Sequence, residues 1–595
     1  ASVGFQALYY NQTGNRNTAL GTYALHKSCN VNNNTGVGYA AGICTTTGTE
    51  NTALGSCTFY CNTTGAYNTA SGYAAMKCNT TGERNSAFGR TALRANTTGS
   101  FNNAFGMYAL ELNTTGSCNT AVGYFSLACN TSGSCNNAVG VESLKSNTTG
   151  IENAALGHKA LCSNSTGSYN SAFGMEAMVC NTSGSRNSTF GRTSLHKNTT
   201  GCCNTAMGMY AQLSNTTGSN NVALGKGSSQ CATTGSYNTV SGFYALCSNS
   251  TGSYNSAFGA NAMRNNTGSY NTAFGRQALL KGSNGGNVAI GNNAMVCLST
   301  GHCNTSVGSG AGYYTTSGIY NTFIGMNAGQ NNSSGNRNTS LGFYALRNTT
   351  TAVHNTASGA YALNSATTGG NNTGHGYRAL YSNTTGSCNA ALGGYSLKSV
   401  TTGIYNTGVG YRAGYCFTTA SYNTHLGFYA GHNTAGGAGC STLVGTQAGY
   451  NITTGHNNTG VGVNVFYNST SGVYNQAMGR NALINVTSGS YNSGIGHNSL
   501  CALTTGHCNT AIGSSSGGLI TGSCNVLVGY SAATGGTDHS CSIVIGAGAV
   551  GCGGCTTRIG TDSTTCTYIT SPLHACTSTS GCSALTVVGT NGTLF

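Results

Sequence analysis

Asn85-Ser86-Ala87-Phe88-Gly89-Arg90-Thr91-Ala92-Leu93-Arg94-Ala95-Asn96-Thr97-Thr98-Gly99-Ser100-Phe101 is one unit of a repeat that runs along nearly the whole chain. Its marker is Asn, a small residue, Ala, a bulky apolar residue and Gly. The marker glycine recurs at Gly4, Gly21, Gly38, Gly55, Gly72, Gly89, Gly106, Gly123 and Gly140, and every step from Gly4 to Gly259 is 17 residues. Two steps of 16 lead to Gly275 and Gly291, and steps of 17 then run to Gly427. One step of 18 reaches Gly445, steps of 17 lead to Gly513, and steps of 16, 17 and 14 end at Gly560. This makes 34 marker glycines.

A helix is a poor fit to such a unit, because Gly, Asn and Thr are weak helix formers and each unit holds two glycines. No heptad is present for a coiled coil. Short extended segments joined by Gly- and Asn-rich corners fit better. The spacing therefore predicts an all-β chain: a parallel β-solenoid, or β-roll, of about 34 coils over residues 1–560. We expect two short strands per coil, with identical side chains stacked in ladders. At ~4.8 Å per coil such a stack is a rod on the order of 160 Å long. The marker glycine is expected at a tight bend or at positive φ. Residues 561–595 break the repeat and read as a short β segment, Tyr568-Ile569 and Leu585 to Val588, that caps an assembly.

Composition agrees with an ordered but unusual chain. Of 595 residues 92 are Gly and one is Pro, Trp is absent, and charged residues are 5%. Disordered chains are rich in charge and Pro and poor in aromatics, whereas this one has 34 Tyr and 17 Phe. The net charge of +14 is spread thinly, with no basic run or Arg stripe, so nucleic acid is not an expected partner. No apolar stretch approaches the ~18 residues that span a bilayer. The chain opens on Ala1-Ser2-Val3-Gly4, the middle of a unit, and reads as a piece of a longer protein.

Each unit carries two adjacent apolar pairs, such as Ala87-Phe88 and Ala92-Leu93. Neighbouring residues of a strand face opposite ways. One member of each pair then lines the coil interior while the other repeats on the outside as an apolar stripe, which marks an interface. Side-by-side association of chains follows, most simply as a parallel homotrimer. The alternative is a single-chain solenoid wide enough to take both faces inside.

Twenty-eight cysteines, with few acids or histidines to share a metal, point to disulfides and an oxidising destination. They concentrate about six residues after the marker glycine and five before the next. Two pairings are open. Cys129 with Cys135, Cys297 with Cys303, and Cys501 with Cys508 flank single corners. Cys44, Cys61 and Cys78, the pair Cys118 and Cys135, and the series Cys508, Cys524 and Cys541 are instead spaced to stack in adjacent coils. Stacked Cα atoms ~4.8 Å apart lie inside the disulfide range. A run of three leaves one thiol to pair elsewhere or stay free. Cys552 and Cys555 form a lone Cys-x-x-Cys, without the second pair that a zinc site needs.

The corner Asn-Thr-Thr/Ser-Gly is also a glycosylation sequon, at Asn62, Asn79, Asn96, Asn113, Asn130, Asn147, Asn164, Asn181, Asn198 and Asn215. Two readings stand: a comb of glycans along one edge, or Asn and Thr side chains bonded to backbone in a tight corner.

The unit Asn-Thr-Ala-apolar-Gly-x-x-Ala resembles the head repeat of YadA-like trimeric adhesins. The best local match is Ser542-Ile543-Val544-Ile545-Gly546-Ala547-Gly548-Ala549-Val550-Gly551. The longer unit is similar to repeats of tail-type fibres from marine phages and large algal viruses. Thr556-Thr557-Arg558-Ile559-Gly560 and the segment to Gly589 resemble what precedes a C-terminal assembly chaperone in such fibres. The resemblance implies a left-handed β-roll and a homotrimer that serves as an adhesive fibre, at a virion surface or outside the cell, with a host glycan or receptor as partner. The sequence lacks the coiled-coil stalk and membrane anchor of the bacterial adhesins and has many more cysteines. These departures favour a virion fibre or secreted filament over a bacterial adhesin head.

No catalytic, cofactor-binding or metal residues are assigned. Gly546-Ala547-Gly548-Ala549-Val550-Gly551 matches a dinucleotide fingerprint, and Gly513-Ser514-Ser515-Ser516-Gly517 a nucleophile elbow, but neither has the strand–helix context that gives it meaning. Eight acids over 595 residues form no carboxylate pair for glycan hydrolysis. Histidines such as His158, His302 and His507 fall at different repeat positions and share no ligand set. An ice-binding solenoid is the remaining alternative, although the threonines sit mostly at corners.

Overall fold

A computed structural model describes residues 1–434, 439–561 and 563. The chain divides into two compact units, Ala1–Ser387 and Cys388–Phe595. Both are built from one motif: a three-residue strand at the marker of each coil, paired in parallel with the strand of the next coil. In the first unit Ser86–Phe88 pairs with Asn103–Phe105, setting Ala87 against Ala104 and Phe88 against Phe105. In the second Ser493–Ile495 pairs with Thr510–Ile512 in the same register. Irregular steps do not break the ladder. The step of 16 sets Ser256 on Thr272 and the step of 14 sets Ile543 on Thr557, each with its marker residues still aligned. No helix occurs among the described residues. The proposed C-terminal β segment lies outside them, apart from Thr561 and Ser563.

The marker glycines sit at positive φ, as expected: φ is +136° at Gly89 and +140° at Gly106. In most coils the second expected strand does not form, although Asn265–Asn266 pairs in parallel with Lys281–Gly282 and Ala533 bridges Val550. After Gly89 the chain winds through turns in which Thr91 (φ 52°) and Leu93 (φ 53°) are left-handed, and Phe101 (φ 58°) is left-handed beyond the corner. Single left-handed residues cost an L-amino acid about 1–2 kcal/mol. The cost is offset here by contacts between coils: Thr91 N–H donates to Tyr73 O of the preceding coil (2.9 Å), and Leu93 N–H to Ala109 O of the following one (2.9 Å).

This winding corrects the second apolar pair. Ala87 is buried and Phe88 exposed, as alternation on a strand requires. Ala92 and Leu93 are both fully buried, because they lie on a turn with mixed handedness and not on a strand. The core of the common coil is thus the strand Ala plus the Ala-Leu pair, and burial of each such Leu stabilises by about 1.5–3 kcal/mol.

Interior volume is conserved between positions. In most coils whose inward strand residue is Ala, the fourth residue after the marker glycine is large, as with Ala104, Leu93 and Leu110. At the large strand residues Phe323, His425 and Leu443 that position is Gly. Phe323 lies between Gly312 and Gly329, His425 between Gly414 and Gly431, and Leu443 against Gly449. Where the strand residue is Gly, as at Gly460, Phe466 takes the space. One slot is filled from either side, as close packing demands.

Two asparagine ladders bind coil to coil. Asn85, four residues before its marker, donates its N–H to Asn68 Oδ1 of the coil below (2.9 Å) and its amide to Gly99 O (2.9 Å). The corner Asn96 donates Nδ2 to Asn79 Oδ1 (2.7 Å) and to Gly99 O (2.9 Å). The first pattern recurs along most of the chain and the corner pattern from Asn62 to Asn215, where buried amides are satisfied by their copies above and below; in other coils an apolar residue such as Leu298, Val486 or Leu503 takes the corner.

Candidate interaction surfaces

The strand puts its third residue outside, next to the residue after the marker glycine, and together they make an apolar face. In the first unit this face carries Leu54, Phe88, Phe105, Val122 and Val139, flanked by Tyr73, Met107 and Tyr124, all exposed. Phe88 and Phe105 stack at 4.9 Å with planes 6° apart. In the second unit it carries Leu392, Met478, Ile495, Ile512 and Ile545, flanked by Tyr411, Phe428 and Val463. Its relief is low: Val461, Met478 and Ile495 line a recess of about 290 Å³. The expected outward stripe is therefore present, but both of its rows flank the marker and none comes from the Ala-Leu pair.

A second exposed edge comes from the left-handed residue five before the marker. Tyr237, Tyr254 and Tyr270 stack there at 5.0 Å with planes 3–4° apart. Arg84 lies between Tyr67 and Phe101 at 5.4 and 5.3 Å from their ring centres. Cys118 and Cys135 occupy this edge, as do Cys303, Cys508, Cys524, Cys541 and Cys555.

On the turn side, Arg412 is surrounded by Tyr395, Tyr411, Tyr415 and Tyr429, with ring centres 5.1–5.6 Å from its guanidinium carbon. Its guanidinium also donates to Tyr429 OH (3.2 Å), and Lys398 donates to Tyr415 OH (2.9 Å). Cations are thus held among aromatic rings, whose π faces attract them. The few acids are scattered. Glu111 pairs with Arg94 (3.1 Å) and Glu142 with Lys145 (3.0 Å), and the Lys145 hydrogen bond holds the Glu142 carboxyl below its usual range.

The ten sequon asparagines Asn62, Asn79, Asn96, Asn113, Asn130, Asn147, Asn164, Asn181, Asn198 and Asn215 are all fully buried. Their side-chain nitrogens are committed, as in Asn130 to Asn113 Oδ1 (2.7 Å) and to Gly133 O (2.8 Å). A glycan on that nitrogen has no exit between coils, so this ladder serves the corner, not an outer comb. The corner threonines are likewise engaged: Thr97 Oγ1 donates to Thr114 O (3.0 Å).

The described cysteines are thiols. The stacked geometry is the one the structure brings together. The Cys135 thiol lies within hydrogen-bonding reach of Cys118, and burial followed by Cys118 and Glu152 pushes its pKa up. Burial also raises Cys61, with added repulsion from Cys78 and Cys44. Burial takes Cys247 to about 11, with Cys231 adding to it. Across-corner partners do not meet in this way. The Cys501 thiol donates to Gly518 O of the next coil (3.2 Å), and the charged neighbour of Cys297 is Lys281, not Cys303. The Cys552 thiol lies 3.8 Å from the Arg558 guanidinium.

Among the described residues no three His, Cys, Asp or Glu side chains converge as a metal site would need, and no helix is long and apolar enough to cross a membrane. Sequence reasoning passed over the cage around Arg412, although Tyr-Arg pairs at a fixed offset from the marker signalled it. No protein-family model matches this sequence, and no curated protein matches it.

Proposed function

We propose that the protein is a structural, adhesive fibre subunit that acts outside the cell or at a virion surface and assembles as a parallel homotrimer. The observation that carries this reading is the apolar face flanking the marker glycines, which recurs coil after coil in each unit. Single exposed apolar residues are ordinary on a soluble protein, but a row of them with a fixed period calls for a cover. A second and third copy of the same chain offer that cover with matching spacing, since every copy presents the same ladder. Lateral packing of three ladders also converts a narrow coil into a body stiff enough to bear load.

The rest of the surface suits attachment. Cations caged by tyrosines, as at Arg412, favour acidic or hydroxyl-rich host glycans. The lack of paired carboxylates gives no support to glycan cleavage, and the use of corner hydroxyls by the backbone gives none to ice binding.

Sedimentation analysis of the purified chain, with mass from light scattering, tests the reading. An elongated trimer supports it, and a compact monomer at micromolar concentration overturns it.

A further inference from the structure

The exposed edge five residues before the marker glycine holds an unusual run near the end of the second unit. Cys508, Cys524, Cys541 and Cys555 occupy this position in four consecutive coils. All four are exposed and share one backbone conformation, with φ of 55°, 61°, 61° and 59°. Backbone bonds hold them in register. Cys524 N–H donates to His507 O (2.8 Å), Cys541 N–H to Ser523 O (2.9 Å) and Cys555 N–H to Ser540 O (2.8 Å). Each cysteine is thereby fixed beside the one in the coil before it. Equal backbone angles aim the side chains the same way from rungs ~4.8 Å apart, inside the Cα range that a disulfide bridges. The sequence spacing shows only the first three. Cys555 joins because the ladder absorbs the final step of 14 residues, and it removes the odd thiol that a run of three would leave.

We propose that this thiol ladder is a redox-modifiable site that closes into two inter-coil disulfides, Cys508–Cys524 and Cys541–Cys555. The oxidant is a low-molecular-weight disulfide, RSSR. The Cys508 thiolate attacks one sulfur of RSSR, forming a mixed disulfide and releasing RS⁻, which takes a proton. The Cys524 thiolate then displaces the second RS⁻ from the Cys508 sulfur. Two protein S–H groups and one RSSR become one protein disulfide and two RSH, with two electrons passing to the small molecule. Cys541 and Cys555 react in the same way. The Cys501 thiol is engaged with Gly518 O of the next coil, whereas Cys552, exposed and 3.8 Å from the Arg558 guanidinium, is the competitor that the mapping must separate. The reaction needs only adjacent coils of one chain and does not rest on the fibre reading.

Peptide mapping tests this. The full chain is incubated with oxidised glutathione, free thiols are blocked, and the protein is denatured and digested. Trypsin is unsuitable because Arg480 and Arg558 bracket all four cysteines, whereas chymotrypsin cuts after Leu519 and Tyr530 and thermolysin, cutting before Val544 and Val550, separates Cys541 from Cys555. The expected result is loss of four titratable thiols at this edge, with Cys508–Cys524 and Cys541–Cys555 as the dominant linked peptides. Dominant links Cys501–Cys508, Cys552–Cys555 or Cys524–Cys541, links between chains, or thiols that stay reduced would each overturn it. The double variant Cys524→Ser/Cys541→Ser replaces exposed side chains and is expected to fold and to lose both links. In that variant Cys508 and Cys555 are expected to stop at the mixed disulfide with glutathione; if either still forms a disulfide with another cysteine of the same chain, the ladder is not the reacting unit.

Discussion

Gly89 lies directly beneath the backbone of Gly106: a Cβ on Gly89 would sit 2.5 Å from the Gly106 carbonyl oxygen. The contact is with backbone, which cannot move aside, and φ at Gly89 is +136°. Gly89→Ala is therefore expected to destabilise by about 3 kcal/mol or more, from strain and overpacking together. Hydrogen exchange should show the loss concentrated in the coils on either side. Ordinary protection at Ala87 and Ala104 in the variant would disprove this.

Asn119 makes bonds with both coils around it. Its amide donates to Asn102 Oδ1 of the preceding coil (3.1 Å) and to Gly133 O of the following one (2.9 Å), and its Oδ1 accepts from Asn136 N–H (3.0 Å). Asn119→Ala leaves the buried Asn136 N–H without its acceptor, worth about 1–3 kcal/mol, while Gly133 O keeps its bond from Asn130 Nδ2. The expected outcome is a lower urea midpoint, with early loss of the amide protons of Asn136 and its neighbours. Removing the exposed Glu50 is expected to leave the midpoint unchanged.

The shared interior slot makes a compensation testable. Ala104→Phe alone places a ring against Leu93 and Leu110 and is expected to cost about 1–3 kcal/mol or more. Adding Leu93→Gly and Leu110→Gly recreates the surroundings of Phe323, between Gly312 and Gly329. Thermal unfolding of the triple variant should recover part of the loss. A triple variant less stable than Ala104→Phe would refute the shared slot.

His425 occupies the same slot, fully buried, with no partner for either ring nitrogen. Burial lowers its pKa to about 4. In the unfolded chain it titrates near 6.5, so between these values the unfolded state holds more protons. Stability is then full above about pH 6.5 and falls as pH drops toward 4, by about 3 kcal/mol in all. His425→Phe suits the flanking Gly414 and Gly431 and should abolish this slope. An unchanged pH profile of local exchange in the variant would exclude His425 as its source.

The exposed ladder offers a test of assembly. Phe88→Ser and Phe105→Ser remove two rings from the surface without touching the core, so the coils should stay folded. In the fibre reading the double variant associates more weakly, and a larger set of such changes yields monomer in sedimentation. An unaltered oligomer would place the interface elsewhere.

The repeat and its corners were legible because the marker Gly, the corner Asn and the inward Ala each answer to one local demand. Thr91, Leu93 and Phe101 were not, since no propensity places a β-branched or bulky residue at positive φ. Bonds to Tyr73 and Ala109 in neighbouring coils impose that conformation, and a single unit contains no sign of it. Ala92-Leu93 consequently looked like a second strand. Asn96 fits both a sequon and a corner, with the corner favoured, and its full burial agrees with the corner. Cys555 was hidden by the shortened last step, which disguises its kinship with Cys541.

The asparagine ladders carry one last implication. Each coil meets its neighbours through bonds that its neighbours also make with each other, so a coil is interchangeable with the gap it would leave. Unequal exchange between the repeated stretches of the gene can then add or drop whole coils without creating a faulty junction wherever the inward residues on both sides match, as among the coils that carry Ala and Leu. Size becomes a trait that is counted in units, and a lineage can lengthen or trim this protein while its folding instructions stay the same.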